Sequence, residues 1–314
     1  MSSGAKVTTA IARETTQGVM PTTGWRELPR TSFAVKTSYG KNESSEISST
    51  RMQQATSAGT VDVGGDVGML FRFGAFDDLL ASCFGAEWKD NVLQVGDDNI
   101  TFSLASTARD IGVHAVYTGQ RVGQLAFTIP NDNDITVTAT FAGTGADTRS
   151  GGDPFFSALD TSATAIPAFD FKNITNLTID GEALAGVACV DSLNITFNNN
   201  IQTQRCLGNG TGFPGNQLAS TFAPTGQLTL AWSPRAYAIW AKQKTKQRVT
   251  LAFDVANEHG KYTFAFPEVE VSGDWPDGGA NDIIKFAMDV SAVRTSPTIT
   301  RVPNTPADTG KNGG

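Results

Sequence analysis

Hydrophobic and polar positions follow the same order twice along this chain. Residues 31–142 and residues 188–293 each run through a strand, a long polar loop, a second strand, one short amphipathic helix and further strands. An apolar period of two is typical of half-buried strands, and a period near 3.6 is typical of helices. The two stretches share little sequence identity, so the repeat lies in the pattern. It predicts two similar β modules and favours a structural building block over an enzyme.

The first two strands of each module are separated by a long polar loop. Residues 32–39 alternate apolar and polar side chains, and the polar loop 40–58 follows them. The second module has its counterpart loop at 199–221, which is richer in glycine. Loops of this length inside a compact domain usually have a function. Two of them at the same place in two repeats predict a shared role.

Each module contains one predicted helix. In the first, apolar residues recur at helical spacing and Gly85 supplies the stop. In the second, Ser233 is the predicted N-cap and Pro234 the first helical residue. The apolar stripe of the first helix is formed by Phe73, Phe76, Leu79, Leu80, Cys83 and Phe84.

The two predicted helices differ in charge. The first carries Asp77 and Asp78, whereas the far end of the second carries Lys242, Lys244 and Lys246. One interpretation is that both are solvated helix faces. The sharper hypothesis is that the acidic helix of one subunit meets the basic helix end of its neighbour, which would set register and partner choice.

Composition divides the chain into five predicted segments. Trp25 and Leu28 are the predicted anchors of an N-terminal arm that docks elsewhere, and glycines and prolines mark a linker between the modules. The segments are an arm at 1–30, a first domain at 31–143, a linker at 144–169, a second domain at 170–302 and a flexible tail at 303–314.

The composition indicates a soluble, mainly β protein. Hydrophobic residues make up 39% and charged residues 18%, and no stretch approaches the ~20 apolar residues that span a bilayer. The N-terminus lacks the apolar region of a secretory signal, so we expect assembly in a cytoplasm. The net charge is −7 without a basic stripe, which disfavours a protein that grips nucleic acid.

Candidate chemistry is sparse. Neither His114 nor His259 has a partner at metal-ligand spacing, and Cys83, Cys189 and Cys206 form neither a CxxC pair nor an even set. The sequence contains no nucleophile elbow and no phosphate-binding loop. We therefore predict no catalytic residue, cofactor or metal, and reduced, structural cysteines.

A series of motifs in the first half resembles a known family. In order these are ETTQGVMP, SFAVKTSYGKNESSEISSTR, SAGTVDVGGDVG and DDLLASCFGAEW, and the run at 44–51 is the most specific. The second half continues the likeness in SLNITFNNNIQ, GQLTLAWS and KYTFAFPEVEVSGDWP. Their order and spacing resemble the major tail tube protein of long non-contractile-tailed, siphovirus-type bacteriophages over roughly residues 14–302.

The resemblance implies a mainly β fold of two tandem tail-tube β-sandwich or barrel domains, each with one flanking α-helix. In that family six tube domains close a ring, so two per chain imply a trimeric, pseudo-hexameric ring. Rings of this kind stack into the tail tube that conducts DNA to the host cell. The implied partners are the chain itself, the tape-measure protein in the lumen, and the tail terminator and distal tail proteins at the ends. DNA would pass without specific binding, no part would insert into a membrane, and the protein would reside in the virion tail after assembly in the host cytoplasm.

The resemblance also implies roles for particular residues. The loop at 40–58 would contact the adjacent ring with help from the N-terminal arm, which makes Glu43, Glu46 and Arg51 candidate inter-ring contacts. The loop at 199–221 would follow by repeat equivalence, although its glycine-rich composition differs.

An acidic lining would let DNA slide through the lumen. The pattern at 61–67 predicts Val61, Val63 and Val67 on one face of a strand. Asp62 and Asp66 lie on the opposite face and are the lumen candidates. The alternative is an outward, solvated face.

Two other protein classes compete with this interpretation. One is a β-sandwich module that binds carbohydrate or a receptor on the phage surface, and the other is a hydrolase on a β scaffold. Exposed aromatic platforms would favour the first. The five tryptophans, which are Trp25, Trp88, Trp232, Trp240 and Trp275, are scattered along the sequence and do not predict such a platform.

Overall fold

The computed structural model describes residues 3–47, 49–208 and 210–304. The predicted tail at 303–314 therefore lies almost wholly outside the described residues. Within them the chain is mainly β, with three short α-helices. The first half contains β1 (Val7–Arg13), β2 (Arg26–Glu27), β3 (Ser32–Phe33), β4 (Lys36–Asn42), β5 (Ser57–Leu70), α1 (Asp77–Phe84), β6 (Val92–Leu93), β7 (Phe102–Ala108), β8 (Val113–Ile129), β9 (Thr136–Gly143), β10 (Gly145–Ser150) and α2 (Ser162–Ala165).

The second half repeats this order, with an additional small hairpin in its long loop. It contains β11 (Ile174–Ile179), β12 (Glu182–Ala183), β13 (Val190–Asn198), β14 (Gln202–Gln204), β15 (Asn216–Leu218), β16 (Ala223–Ala231), α3 (Pro234–Lys242), β17 (Val249–Asn257), β18 (Gly260–Ser272), β19 (Lys285–Ala292) and β20 (Thr298–Pro303).

Each half is a sandwich of two antiparallel sheets that share one long strand. In the first half, the early part of β8 pairs with β7 and β10, and β7 pairs with β1. The later part of β8 pairs with β9, which pairs with β5, which pairs with β4. The second half repeats every one of these pairings with β11, β17, β18 and β20 in one sheet and β13, β16, β19 and β18 in the other. The predicted tandem β-sandwich fold with one flanking helix per domain is confirmed.

The first sandwich domain extends beyond its predicted boundaries, 31–143, at both ends. β1 lies in the predicted arm and β10 in the predicted linker, and they occupy the places of β11 and β20. Trp25 and Leu28 are buried as expected, but the partner on which the arm docks is its own chain. β1 belongs to the sheet because Ala10 and Ile11 are buried along a full ladder with β7.

A buried carboxylate fastens the first strand to this sandwich. Glu14 accepts hydrogen bonds from the Thr101 and Ser103 hydroxyls at 2.8 and 2.7 Å, and from the backbone N–H groups of Gly18 and Gly119 at 2.8 Å each. A buried charge is tolerated only when hydrogen bonds replace its water. The four donors come from three parts of the chain, at Gly18, at Thr101 with Ser103, and at Gly119, so Glu14 holds these parts together.

Two adjacent glycines let three strands approach closely. A Cβ on Gly64 would lie 2.3 Å from the Phe141 carbonyl oxygen, and one on Gly65 would lie 2.3 Å from the Ala34 carbonyl oxygen. Both have positive φ, at 151° and 144°, yet the register between β5 and β9 continues through them without a shift. The strands therefore approach closely at these glycines, and β5 has no bulge against β9 there.

The helices begin and end largely where the sequence signals place them. The Ser233 hydroxyl accepts a hydrogen bond from the Ala236 N–H at 3.2 Å, as expected for an N-cap. Gly85 ends α1 in the left-handed conformation. α1 begins at Asp77, later than the apolar stripe suggested, because Gly74 with φ +73° introduces a turn before it.

Candidate assembly surfaces

The two halves are joined edge to edge by backbone hydrogen bonds between β8 and β13. The ladder runs from Leu193 opposite Ile129 to Asn198 opposite Gln124. It continues into Asn199, whose N–H donates to the Gly123 carbonyl at 2.8 Å. The result is one eight-stranded sheet in the order β4, β5, β9, β8, β13, β16, β19 and β18, which we call the junction sheet.

Aromatic side chains from both halves fill the space behind this junction. Phe71 has no exposed surface and packs against Phe127 at 5.2 Å and against Tyr262 at 5.4 Å between ring centroids. Phe127 also packs against Phe197 at 6.0 Å and Phe264 at 5.8 Å. One continuous core therefore spans the junction, and neither half buries these rings alone.

The acidic end of α1 is bound within its own chain. The Tyr262 hydroxyl donates to Asp77 and accepts from the Gly74 N–H at 2.8 Å, while Arg301 forms an ion pair with the same carboxylate. Burial raises the pKa of Asp77, and the bonds from Tyr262 and Arg301 oppose this shift. Burial and the nearby Asp77 carboxylate raise the pKa of Tyr262 well above its usual value. Asp78 pairs with Arg26 at 2.7 Å.

The basic end of the second helix also has partners in its own chain. Lys242 forms an ion pair with Asp180, and the Lys244 ammonium lies 4.3 Å from the centre of the Trp240 ring. Lys246 ends the helical segment in the left-handed conformation and is exposed. Nothing in a single chain tests a contact between these lysines and a neighbour's α1, so that pairing stays a prediction.

The junction sheet has a free edge at each end. In the described residues, β4 pairs on one side only, and most of its side chains are exposed, including Tyr39 at 73%. At the opposite end, residues 270–272 of β18 pair only with β19, and the chain then continues through 273–277 without regular structure. Unpaired strand edges are templates for pairing with another chain.

The two halves of the junction sheet correspond rung by rung. The pairing order that leads from β4 to β8 is the same as the order that leads from β13 to β18. The Ser32–Gly68 pair of the first half corresponds to the Ser192–Thr229 pair of the second. In the same way, the Asp66–Thr140 pair corresponds to Gln227–Asp289, and the Gln124–Thr140 pair corresponds to Ser272–Asp289. Residues 33–38 therefore correspond to 193–198, and residues 124–129 correspond to 272–277.

The long loop of the first half projects from the sheet. β4 and β5 extend into the predicted loop, and the described residues between them, 43–47 and 49–56, form no strand or helix. All three candidate inter-ring residues, Glu43, Glu46 and Arg51, are exposed. Ile47 and Met52 are also exposed, at 101% and 77%. This places apolar side chains that the sequence analysis overlooked beside the charged candidates.

The long loop of the second half lies against the first half. It contains the β14–β15 hairpin, and the Gly212 carbonyl accepts from the Val61 N–H at 2.9 Å. The Gln217 side-chain amide donates to the Gly143 carbonyl at 2.9 Å. Arg205 of this loop forms an ion pair with Asp62. The two long loops thus differ in their contacts as well as in composition.

One face of the junction sheet is buried and the other is polar and exposed. Val61, Val63 and Val67 are buried while Asp62 and Asp66 are exposed, as the alternation predicts. The charge of Asp62 is paired with Arg205, whereas Asp66 accepts a hydrogen bond from the Thr140 hydroxyl at 2.6 Å. Neutral residues dominate the rest of this face and include Thr136, Thr138, Asn194, Thr196, Thr225 and Thr229.

A second carboxylate stands on the equivalent rung of the second half. Asp289 of β19 is exposed and accepts a hydrogen bond from Gln227 at 2.9 Å. In the first half the acid is Asp66 of β5, which pairs with Thr140 of β9. In the second half Gln227 takes the place of Asp66, and the acid is its partner Asp289 on β19. Sequence reasoning missed Asp289 because the two acids do not align. The signal was its alternation with Phe286, Met288 and Val290.

Three of the five tryptophans, contrary to expectation, come together on the second half. Trp240 and Trp275 are 5.0 Å apart between ring centroids, Trp232 and Trp275 are 5.2 Å apart, and Tyr237 joins them. Tyr237 is 46% exposed and Trp275 is 60% exposed. We call these four residues the aromatic face. The sequence does not reveal it because its members come from three separate places, which are the residue after β16, α3 and the segment after β18.

Neither histidine in the described residues belongs to a group that could hold a metal ion. His114 is buried in β8, and His259 lies exposed in the turn before β18. Within the described ranges, no group of three histidine, cysteine or acidic side chains is placed to hold a metal ion. Cys83 is buried, and burial raises the pKa of its thiol. A search of the described helices for one long and apolar enough to cross a membrane found none.

The fold and these surfaces define a tandem β-sandwich protein whose exposed features are sheet edges, a projecting hairpin loop and an aromatic face. Comparison with known families matches residues 4–312 to the family described as phage tail tube protein. Because the match covers nearly the whole chain, the chain belongs to this family. It is a structural component of a virion tail, of a kind that assembles with itself into a tube. A search of curated proteins found no match to the chain.

Proposed function

We propose that three copies of this chain close a pseudo-hexameric ring of six sandwich domains and that such rings stack into the siphovirus-type tail tube that conducts DNA. The observation that carries the proposal is the β8–β13 ladder inside one chain. It joins two equivalent domains edge to edge and leaves β4 and residues 270–277 without a strand partner on their outer side among the described residues. At one point of the second edge, the Gln243 side chain is hydrogen-bonded to the Gly273 backbone. Pairing of these two edges between chains repeats the internal junction and closes the sheet, which removes its exposed edges.

The rung correspondence supports a specific register for that pairing. Because 33–38 matches 193–198 and 272–277 matches 124–129, Lys36 of one chain would stand opposite Asp274 of the next. Both are exposed and oppositely charged. Pro276 would stand opposite Ala34, whose N–H is already bonded to the Asp66 carbonyl of β5 at 2.8 Å. Pro276 and Ala34 would therefore be a non-hydrogen-bonded pair, which needs no N–H from the proline.

The exposed face of the junction sheet would line the lumen. Asp66 and Asp289 occupy equivalent rungs, so a ring of six domains would present six carboxylates at one height. Carboxylates repel phosphate, and the small hydroxyl and amide side chains around them offer DNA no cluster of cations. Asp62 lies on the same face but is neutralised by Arg205, so its contribution would be weaker. Before ejection the same bore would hold the tape-measure protein.

The ends and interfaces of the tube complete the proposal. Glu43, Glu46 and Arg51 would contact the adjacent ring, and tail terminator and distal tail proteins would cap the two ends. Rings that stack head to tail grow along one axis until they are capped. The protein would assemble in the host cytoplasm and remain in the virion tail.

Electron microscopy of the purified protein, combined with native mass spectrometry, tests the proposal. We expect rings or tubes, three chains per ring, and a reconstruction in which the face that carries Asp66 and Asp289 surrounds the bore. Rings of six chains would contradict the two-domain arrangement. A protein that forms neither rings nor tubes would contradict the function itself.

Helix charge is a separate, smaller part of the proposal. We expect the double substitution Lys244→Glu and Lys246→Glu to weaken ring formation, because these lysines would face the partly exposed Asp78 of a neighbour. Sedimentation of assembled protein measures the effect. Asp78→Lys in the same variant should restore assembly if the contact is direct. Unchanged assembly of the double variant would show that both lysines are solvated.

A further inference from the structure

We propose that the aromatic face is a subunit interface, covered in the ring by residues 33–42 of a second copy of this chain. The inference rests on the proposed function, because a ring supplies the second copy. It goes beyond ring formation by assigning a function to Trp232, Tyr237, Trp240 and Trp275 and by naming the segment that covers them.

The first argument compares Phe127 with Trp275, which occupy corresponding positions. Phe127 is 4% exposed because Phe197 and Phe264 of the second half pack against it at 6.0 and 5.8 Å. Trp275 is 60% exposed. The second half of the chain thus covers Phe127, whereas no part of the chain that the structure describes covers Trp275 in this way.

The two helices differ in burial in the same way, because α1 is covered by the second half whereas one side of α3 is not. Six of the eight residues of α1 are buried, and the Cys83 thiol reaches the Phe197 carbonyl oxygen of the second half at 3.7 Å. In α3 only Ala236 and Ile239 are buried. α3 holds its own sheet through the Trp240 indole N–H, which donates to the Gly273 carbonyl at 3.1 Å. The outer side of α3 lacks the covering that α1 has.

The covering segment follows from the same correspondence. Inside one chain, α1 is covered by the end of β13 around Phe197, and Asn199 also donates to the Ser82 carbonyl at 3.5 Å. The corresponding stretch in the first half ends at Thr37 and Tyr39. Tyr39 is 73% exposed, so it is free to pack on an aromatic surface.

Charge supports the same occupant. Lys36 and Lys41 are exposed on the proposed covering segment. The strip beside the aromatic face carries exposed Glu270, Asp274 and Asp277. Complementary charges around an apolar centre are typical of specific protein interfaces, where they steer encounter and fix register.

A saccharide is the rival occupant, since exposed aromatic rings also bind sugars. Here Trp275 stands at 73° to Trp232 and at 79° to Trp240, so the rings pack edge to face on one another. The Lys244 ammonium covers one face of Trp240. The rings therefore form a ridged surface rather than a flat stacking platform, which fits a protein partner better.

The first test measures assembly and tryptophan exposure in the full-length protein. Trp275→Ala should lower the yield of sedimentable tubes at least about tenfold, as expected for a central aromatic contact. The control Trp275→Phe keeps an apolar ring and should retain most assembly. In the wild-type protein, assembly should reduce acrylamide quenching of tryptophan fluorescence, because Trp275 becomes buried. Circular dichroism of the unassembled variants should match wild type, since the side chain is exposed.

The second test identifies the covering segment. In a Cys189→Ser and Cys206→Ser background, Lys36→Cys and Asp274→Cys should form an interchain disulfide when the protein assembles with oxidised glutathione as the oxidant. The two positions would be a non-hydrogen-bonded cross-strand pair, which has a short Cα separation suited to a disulfide. Within one chain they lie on opposite edges of the eight-stranded junction sheet, so only a second copy can supply the partner. Lys36→Cys alone is the control and should not crosslink.

The outcomes separate this inference from the proposed function. Normal tubes from Trp275→Ala, with quenching unchanged on wild-type assembly, would overturn the inference and leave the tube function standing. Tubes with no crosslink would overturn the assignment of the covering segment. Binding of a polysaccharide that Trp275→Ala abolishes, together with normal tubes, would favour the saccharide. Absence of any ring or tube from wild type would overturn both proposals.

Discussion

Replacing Phe71 with alanine is expected to lower the free energy of unfolding by about 3–5 kcal/mol, the usual cost of removing a large buried ring. Phe71 has no exposed surface and packs against Phe76, Phe127, Phe169 and Tyr262 with ring centroids 5.1–5.4 Å apart. Tyr262 belongs to the second half of the chain, so both halves lose contacts. Urea unfolding followed by circular dichroism measures the change.

Phe71→Leu is the matched control for that experiment. It keeps an apolar side chain and should cost clearly less, because the cavity it leaves is smaller. If the two halves share one core, the whole transition should shift. A variant in which only half of the signal moves, or in which the loss stays below about 1 kcal/mol, would contradict a shared core.

Replacing residues 43–56 with an Asn-Gly turn is expected to abolish tubes while the chain still folds. Asn42 and Ser57 are paired at the base of the hairpin, so a two-residue turn can connect β4 and β5. The segment that is removed carries Glu43, Glu46 and Arg51, the proposed inter-ring contacts. Size-exclusion chromatography with light scattering and electron microscopy should show rings or monomers only.

A loop of equal length made of glycine and serine is the control for the deletion. It keeps the span but removes the side chains, and it should also fail to give tubes if those side chains make the contact. Tubes from the deletion variant would refute an inter-ring role. Tubes from the control alone would show that the length of the loop matters more than its chemistry.

Local signals predicted the elements that depend on local chemistry. The alternation at Val61, Val63 and Val67 gave the correct buried face of β5, and Ser233 gave the start of α3. β10 escaped prediction because its strand character comes from pairing with β8, and its sequence GADTRS is poor in strand-forming residues. β1 was missed although its sequence VTTAIAR is rich in β-branched residues, which favour strands. Long-range pairing decides strand identity more strongly than propensity does.

The candidate surfaces were predicted unevenly for the same reason. Alternation placed Asp62 and Asp66 on the exposed face, but the ion pair between Asp62 and Arg205 depends on how a long loop folds back, which no periodicity encodes. Asp77 looked like a free helix charge until Tyr262 and Arg301 were brought to it from the second half. Sequence patterns describe neighbouring residues, so they do not predict contacts between residues that lie far apart in sequence.

The internal β8–β13 ladder has a consequence for the kinetics of ring closure. Each association of free subunits loses translational and rotational freedom, a cost of about 4 kcal/mol or more. The ladder between β8 and β13 forms during folding, at an effective concentration that free subunits do not reach. If the six domains of a ring were separate chains, translational and rotational freedom would be lost each time a chain joined. In the proposed ring, half of the junctions are already made before any two chains meet, which favours complete rings over open intermediates.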